Sequence, residues 1–450
     1  MNSEILKVKC TGMDEEGKGI AKIHGQELHI AGLLEGETAL VEVSRKRNLI
    51  NAGLVRIEER AECRVKPRCM YFERCGGCRL QHMSYQGQAE FKQKNIERLL
   101  GEYHRVNEIL PMKEPYFYRN KVHSTLAYDK NRNIISGIYE EKTHNVIPVK
   151  QCIIQDRRAD EIIPSVRELM RSFRLEPYNE DTGRGFLRHI LVKTGFASKQ
   201  VMVVLVTSSQ VFPGKNNFIK ALLSRHPEIT TVVMNVNNRK TSAVLGDEEK
   251  VLYGKGYIED TLCGCVFQIS PKSFYQINPV QTEVLYTKAI ELAGLNGDET
   301  VLDAYCGIGT ISLIVSGKVK KVIGVELSKA AVKDAIRNAK VNNIRNAYFY
   351  NDDAGSFMTG LARERQPIDT VFMDPPRSGS GERFLNSLVQ LSPSKVVYIS
   401  CNPVTQKRDI EILVRNGYRV EEIQPVDMFP QTVHVETCVL LSRKNPQTSP

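Results

Sequence analysis

No stretch of this 450-residue sequence approaches the roughly 18 consecutive apolar residues that a membrane-spanning helix needs. The start, Met1-Asn2-Ser3-Glu4, has no charged-then-apolar leader pattern. These two absences predict a soluble, cytoplasmic protein with no membrane partner. A Gly-Lys-Ser/Thr phosphate loop is missing, and so is a complete G-x-G-x-x-G, which argues against a triphosphate or pyrophosphate guest. The radical-type C-x3-C-x2-C spacing is absent, so no radical mechanism is indicated. No histidine neighbours Cys401, as a cysteine hydrolase would want for activation. There is no internal repeat, and only the tail, residues 445–450, is of low complexity. What is present is an ordinary apolar share of 41 % and a length that asks for two or three domains. The expected state is a monomer.

The net charge of +10 is moderate but recurs in clusters: Arg45-Lys46-Arg47, residues 64–68, and Arg119 with Lys121. Basic clusters on small β modules point to nucleic acid. Residues 1–58 alternate apolar and polar in Glu4-Ile5-Leu6-Lys7-Val8 and Ala39-Leu40-Val41-Glu42-Val43, with glycine turns between. That pattern predicts a small OB-like β-barrel of the kind that commonly binds oligonucleotides. Residues 59–270 read as a central α+β domain, with a helix over 85–100 and amphipathic helices over 161–172 and 216–224. Residues 267–279 read as a polar-aromatic linker. From residue 271 to 450 strands alternate with helices, as in a doubly wound, Rossmann-like α/β domain. Its end, 418–422 and 434–441, reads as an antiparallel pair.

Eleven cysteines in a cytosolic chain argue for metal or catalysis rather than disulfides. Cys69, Cys75 and Cys78 lie at C-x5-C-x2-C spacing around Gly76-Gly77. Three thiolates on a tight loop plus a fourth elsewhere suit an iron–sulfur cluster, with zinc as the alternative. The fourth ligand is either nearby Cys63 or distant Cys152.

The C-terminal domain carries the chemistry. Asp374-Pro375-Pro376-Arg377 and Ser400-Cys401-Asn402-Pro403 each follow an apolar β-like run. Strand carboxyl ends face the ligand crevice of an open α/β sheet, so an acid and a thiol nucleophile are presented to one pocket. The run 300–304 leads into a glycine loop with Gly307 and Gly309, and Glu326 ends the next strand. An acid there suits ribose hydroxyls, and the loop suits a nucleoside without phosphate. Glu436 alternates with valines; if it faces the pocket, its desolvated carboxylate is a base.

Together these residues resemble the S-adenosylmethionine-dependent RNA 5-methyluridine methyltransferases, and most closely a branch with a TRAM domain and a [4Fe-4S] cluster that acts on 23S ribosomal RNA. Gly17-Lys18-Gly19-Ile20-Ala21 resembles TRAM, and the cysteine loop with Gln81-His82 resembles the cluster segment. The resemblance continues through Phe274-Tyr275-Gln276-Ile277-Asn278, the two proline motifs and His434-Val435-Glu436-Thr437. It implies Cys69, Cys75, Cys78 and Cys152 as cluster ligands, and Gln276, Tyr305, Thr310, Glu326, Asp353 and Asp374 around the methyl donor and uracil. Thr310 stands where asparagine is frequent. It further implies that Cys401 adds to uracil C6 and that Glu436 removes the C5 proton. Transfer RNA is the alternative substrate.

Overall fold

Alternating burial along the first strands turns one face of an N-terminal sheet into a core. In the computed structural model, which describes residues 3–23, 25–46, 49–140, 143, 145–240 and 243–444, β1 (Ser3–Met13), β2 (Gly19–Ile23), β3 (Gln26–Ile30), β4 (Thr38–Lys46) and β5 (Leu49–Glu59) form a five-stranded sheet in the order β3-β2-β1-β4-β5. All its pairings are antiparallel. β1 shifts register between Cys10 and Gly12, so its first part pairs with β4 and its last part with β2. Val8, Ala21, Ile30, Leu33 and Val41 fill the core. Of the basic cluster at 45–47, Arg47 and the side chains of Arg45 and Lys46 lie outside the described residues. After the sheet come the cysteine loop, a short α1 (Phe72–Cys75) and α2 (Tyr85–Leu100). Residues Met1–Ile96 and Phe429–His434 make one compact unit. Glu37 pins it: fully buried, its carboxylate takes two contacts from the Arg64 guanidinium, one at 2.7 Å, and the backbone N–H groups of Leu34 and Ala61.

The second unit, Glu97–Met428 with Val435–Pro450, holds two large sheets. The first contains β6 (Lys121–Tyr128), β7 (Ile134–Tyr139), β8 (Val146–Pro148), β9 (Leu187–Thr194), β10 (Val201–Thr207), β11 (Ile229–Val236) and β12 (Glu248–Tyr253) in the order β12-β11-β10-β9-β6-β7-β8. The helices α3 (Arg157–Ser172) and α4 (Lys215–Arg225) share its apolar core. Every residue of β9 and β10 is buried, as expected of strands covered on both faces. The region expected as a linker begins instead with a hairpin of β13 (Ile258–Leu262) and β14 (Cys265–Ile269). Its turn, Cys263-Gly264, has both residues at positive φ, the geometry that lets two strands reverse in two residues.

α5 (Pro279–Ala293) then opens the last sheet: β15 (Thr300–Ala304), α6 (Thr310–Ser316), β16 (Lys321–Glu326), α7 (Lys329–Val341), β17 (Ala347–Asn351), α8 (Ala354–Arg363), β18 (Thr370–Met373), α9 (Glu382–Leu391), β19 (Lys395–Ser400), α10 (Pro403–Arg415), β20 (Tyr418–Val426) and β21 (Glu436–Arg443). The strand order is β17-β16-β15-β18-β19-β21-β20. β17 to β19 run parallel, and β21 lies antiparallel between β19 and β20. The strand order reverses between β15 and β18, which places the ligand crevice at their carboxyl ends. The final strand begins at Glu436, two residues later than expected. No helix among the described residues is long and apolar enough to cross a membrane.

Candidate active site

β15 stops at Ala304 because the chain must turn sharply. Tyr305, Gly307 and Gly309 have φ of 67°, 56° and 84°. At Gly309 a Cβ would sit 3.1 Å from the Phe349 ring and 3.2 Å from Ala335, so only glycine fits both the angle and the space. The turn brings backbone N–H groups to the sheet end: Glu326 accepts from Gly307 at 3.1 Å and from Ser328 at 2.7 Å. Glu326 is thus already aimed at the glycine loop. Next along the edge, Asp353 caps α8 and accepts from Ser356 N at 2.9 Å. The Tyr305 hydroxyl donates to Ser380 at 3.2 Å, and its ring lies 5.3 Å from that of Phe384.

Gln276 is held from another part of the unit. Asn120, just ahead of β6, donates its side chain to the Gln276 carbonyl at 3.0 Å and its backbone N–H to Ile277 at 2.9 Å. Buried Tyr286, on α5, lies within hydrogen-bonding reach of both Gln276 and Thr310.

The thiol and the acid come together through strand register. Ser400 faces Thr437 across β19 and β21, so Cys401 and Glu436 are the next residues outward on adjacent chains. The loop after β18 is clamped beside them: the Arg377 carbonyl accepts from Asn402 Nδ2 at 2.9 Å and from Thr405 Oγ1 at 3.2 Å. Buried Asp409 fastens the same loop, accepting from Ser380 N at 2.8 Å and from the Tyr398 hydroxyl at 2.7 Å.

The electrostatics are those of a dry, acidic pocket. Burial pushes the Cys401 thiol up to about 11; Glu436 and Asp374 add to this, and Arg377 opposes it with its charge and a hydrogen bond. Burial, then the charge of Asp374, raises Glu436 well above the carboxylate range, again against Arg377. Asp374 is raised to about 7 by burial and by Asp303. Asp303 itself goes to about 7 through burial, although Ser312 donates to it from N at 2.8 Å and from Oγ at 2.5 Å. Burial and the neighbouring acids thus favour the protonated forms of Cys401 and Glu436, and the charge of Arg377 opposes this at both.

Sequence reading passed over Arg377, Asp303 and Tyr286 as site residues. Arg377 is in a quoted motif, but its neighbours come from β19 and β21. Asp303 carries a readable signal, an acid inside an apolar strand. Tyr286 has none, since a tyrosine on an amphipathic helix reads as core. Cys306, in the glycine loop, is buried.

The cysteine loop lies in the first unit and Cys152 in the second. The short α1 ends at Cys75, with Gly76 turning left-handed at φ 67°. Cys69 is oriented by its N–H to Gln81 Oε1 at 3.1 Å and by Tyr71 N donating to its sulfur at 3.4 Å. Burial, with the charge of Cys69 also contributing, raises the Cys75 thiol. Cys69, Cys75, Cys78 and Cys152 are all half-buried. Among the described residues no three His, Cys, Asp or Glu side chains are gathered as a metal site. The donor chemistry, thiols on a tight glycine loop, fits a thiolate-bound metal; the gathered geometry is not present.

Comparison with known proteins agrees with the α/β site. Residues 84–444 match the family described as tRNA (uracil-5-)-methyltransferase. The chain is 40 % identical over 445 residues to an uncharacterized RNA methyltransferase of Caldanaerobacter subterraneus subsp. tengcongensis, covering 98 % of each chain. It is 41 % identical over 437 residues to another of Clostridium tetani, covering 96 % of this chain and 95 % of that one. In structure it is similar to the Pyrococcus abyssi tRNA (uracil-54, C5)-methyltransferase, solved in complex with S-adenosyl-L-homocysteine: TM-score 0.78, 28 % identity, covering 97 % of this chain and 99 % of that one. The glycine loop, the acid at the next strand end and the thiol–acid pair thus sit in a fold whose relatives modify RNA, and the chain belongs to the tRNA (uracil-5-)-methyltransferase family as an S-adenosylmethionine-dependent RNA methyltransferase.

Proposed function

We propose that the enzyme methylates C5 of uridine in 23S ribosomal RNA through a covalent adduct on Cys401. The observation that carries this is the placement of Cys401 and Glu436 as outward neighbours in the β19–β21 register at the crevice. C5 of uracil is a weak nucleophile. The Cys401 sulfur adds to C6, the C5=C6 electrons move to C5 and O4, and the enolate takes the methyl group, releasing S-adenosylhomocysteine. Glu436 then takes the C5 proton, the double bond re-forms, and the Cys401 thiolate leaves. Arg377 supports the thiolate against a pocket that otherwise disfavours it. Asp374, whose carboxyl burial and Asp303 raise to about 7, hydrogen-bonds the uracil edge. Gln276, Tyr305, Thr310, Glu326 and Asp353 line the methyl donor and the base, with Glu326 exchanging its backbone partners for ribose hydroxyls. The target nucleotide must leave its stack to reach this crevice.

The N-terminal sheet acts as a TRAM-type barrel that grips RNA loops, and the central region, 59–270, carries the cysteine loop. Cys69, Cys75 and Cys78 hold a [4Fe-4S] cluster, with Cys152 as the fourth ligand by the family resemblance. The cluster supplies a tie for the loop, not a redox step, because methyl transfer to C5 needs no electron donor. Anaerobically purified protein should contain iron, Cys69→Ser should lose it, and Cys63→Ser should keep it; stoichiometric zinc in colourless protein would sink the assignment. The enzyme is expected to work as a cytoplasmic monomer. A second reading, transfer RNA, is favoured by the tRNA specificity of the Pyrococcus abyssi neighbour. Mass-spectrometric mapping of 5-methyluridine in all RNAs of a deletion strain decides: loss from ribosomal RNA supports the first reading, and loss from transfer RNA the second.

A further inference from the structure

The longest concentration of positive charge in the chain lies outside the site already described. Between Lys318 and Arg345 there are eight lysines and arginines against two acids, so this segment holds more than half of the net charge of +10. The two acids are occupied. Glu326 accepts from the Gly307 and Ser328 backbones. Asp334 is buried and accepts from Ser270 Oγ at 3.1 Å, Ser273 Oγ at 2.8 Å and Arg337 at 3.0 Å.

The charge is organised by helical spacing. Lys329, Lys333, Ile336, Arg337 and Lys340 recur at three- and four-residue steps on α7, and all are exposed, so they form one outward stripe. Beside it, α7 and the edge strand β17 enclose a groove of about 370 Å³, lined by Ile336, Ala339, Lys340, Ile344, Tyr348 and Tyr350 among others. Among the described residues β17 pairs only with β16. Tyr348 and Tyr350 are 48 % and 44 % exposed, and the Tyr350 ring lies 5.1 Å from that of Phe357. The Lys321 ammonium lies 5.5 Å from the Tyr348 ring centre. The stripe starts three residues after Glu326, at the crevice, and runs ~17 Å along the flank of the sheet at the usual helical rise.

We propose that this flank is a docking surface for the RNA that leads into the crevice, with the α7 lysines holding phosphates and the β17 tyrosines stacking on bases. Positive charge in a row with aromatics beside it is what single-stranded RNA recognises, because the phosphates are regularly spaced and every base has a stackable face. A protein partner would leave the lysine row without a matched function, and a second copy of this chain would set like charges against each other. The proposal rests on the RNA-methyltransferase reading and deepens it.

The test separates the two contributions. The probe is a fluorescein-labelled oligouridine long enough to cover the flank, titrated by anisotropy at several salt concentrations. Lys329→Gln/Lys333→Gln/Lys340→Gln should flatten the slope of log affinity against log salt by about 2, at somewhat under one unit per phosphate contact. Tyr348→Ser/Tyr350→Ser should weaken binding on the order of tenfold with the slope unchanged. Both variants should stay folded and keep the wild-type S-adenosylhomocysteine affinity, since none of the substituted side chains is among those placed around the methyl donor. If the lysine variant binds with the wild-type slope, the docking surface is refuted. If ultracentrifugation shows an RNA-free dimer that the tyrosine variant dissolves, the face belongs to a second copy and the proposal is overturned. Failure of the methyltransferase reading would show separately, as no 5-methyluridine formed by wild type on any RNA.

Discussion

At the residue scale, the site is a thiol and three acids made reluctant to ionise by burial. Cys401→Ala should abolish methyl transfer, because C5 is not activated without addition at C6. Glu436→Gln keeps the shape but removes the base; it should methylate once and then remain as a protein–RNA species that survives denaturing electrophoresis. Normal turnover by Glu436→Gln without that species would move the proton to another group. The raised Glu436 also has a sign. It is protonated below its folded value and active above it, so single-turnover rates should fall on acidification through a limb above the ordinary carboxylate value of 4.5. The charge of Asp374 helps to raise Glu436, so Asp374→Asn should move that limb to lower pH while lowering the overall rate. An unmoved limb would show that the two carboxyls are not coupled. Cys401 and Glu436 stand out as candidates because motif and alternation sit in one short stretch each. The nearness of Arg377 to both does not, because its neighbours come from other strands.

At the scale of elements, strands ended where polar motifs began, and that was readable. The boundary between linker and strand was not: residues 267–269 read as the start of a polar-aromatic linker, yet with Cys265 and Val266 they pair with Ile258–Leu262. Asn338 on α7 and Asn342 just past its end accept the backbone N–H groups of Gln268 and Val266, each at 2.8 Å. Close packing at the glycine loop was equally hidden. A Cβ on Gly324 would meet the Phe349 ring at 2.6 Å and Cys306 Sγ at 3.0 Å. Gly324→Ala should therefore cost about 1–3 kcal/mol, as overpacking in a tight core does. At Gly309 the left-handed backbone adds about 1–2 kcal/mol of its own. Urea melts check both. A Gly324→Ala protein as stable as wild type would show that Phe349 has room to move.

For the whole molecule, the N-terminal sheet and the cysteine loop are one unit. Leu34 packs with Leu80, Met83 and Phe91, and Glu37 binds Arg64. Cutting the chain at residue 58 would expose that core, so the sheet's share of RNA binding is better tested by charge variants than by deletion. Burial works to raise Glu37, but hydrogen bonds from Arg64 and the Leu34 backbone outweigh it and hold the carboxyl below its ordinary value of 4.5. A lowered carboxyl contributes stability above its unfolded value and loses it as pH falls through the folded one. Glu37→Gln should cost about 2–3 kcal/mol at neutral pH, less than for a fully enclosed pair because Arg64 keeps 13 % of its side chain exposed. The gap to wild type should shrink on acidification below about pH 4.5, the ordinary carboxylate range. A gap that is constant with pH would mean that Glu37 acts through shape alone.

The sequence by itself determined the element types, the chemistry of the strand-end residues and the family, because each depends on neighbours close along the chain: periodicity, glycine turns and short motifs. Tertiary structure alone decided which groups meet. Register across β19 and β21 sets Cys401 beside Glu436, residues 35 positions apart. The fold gathers Asp303, Asp374 and Glu436 into one buried field, and it sets Lys340 of α7 in one groove with Tyr348 and Tyr350 of β17. Those pairings depend on distances between remote segments, and burial strengthens every charge interaction among them by removing the water that would screen it.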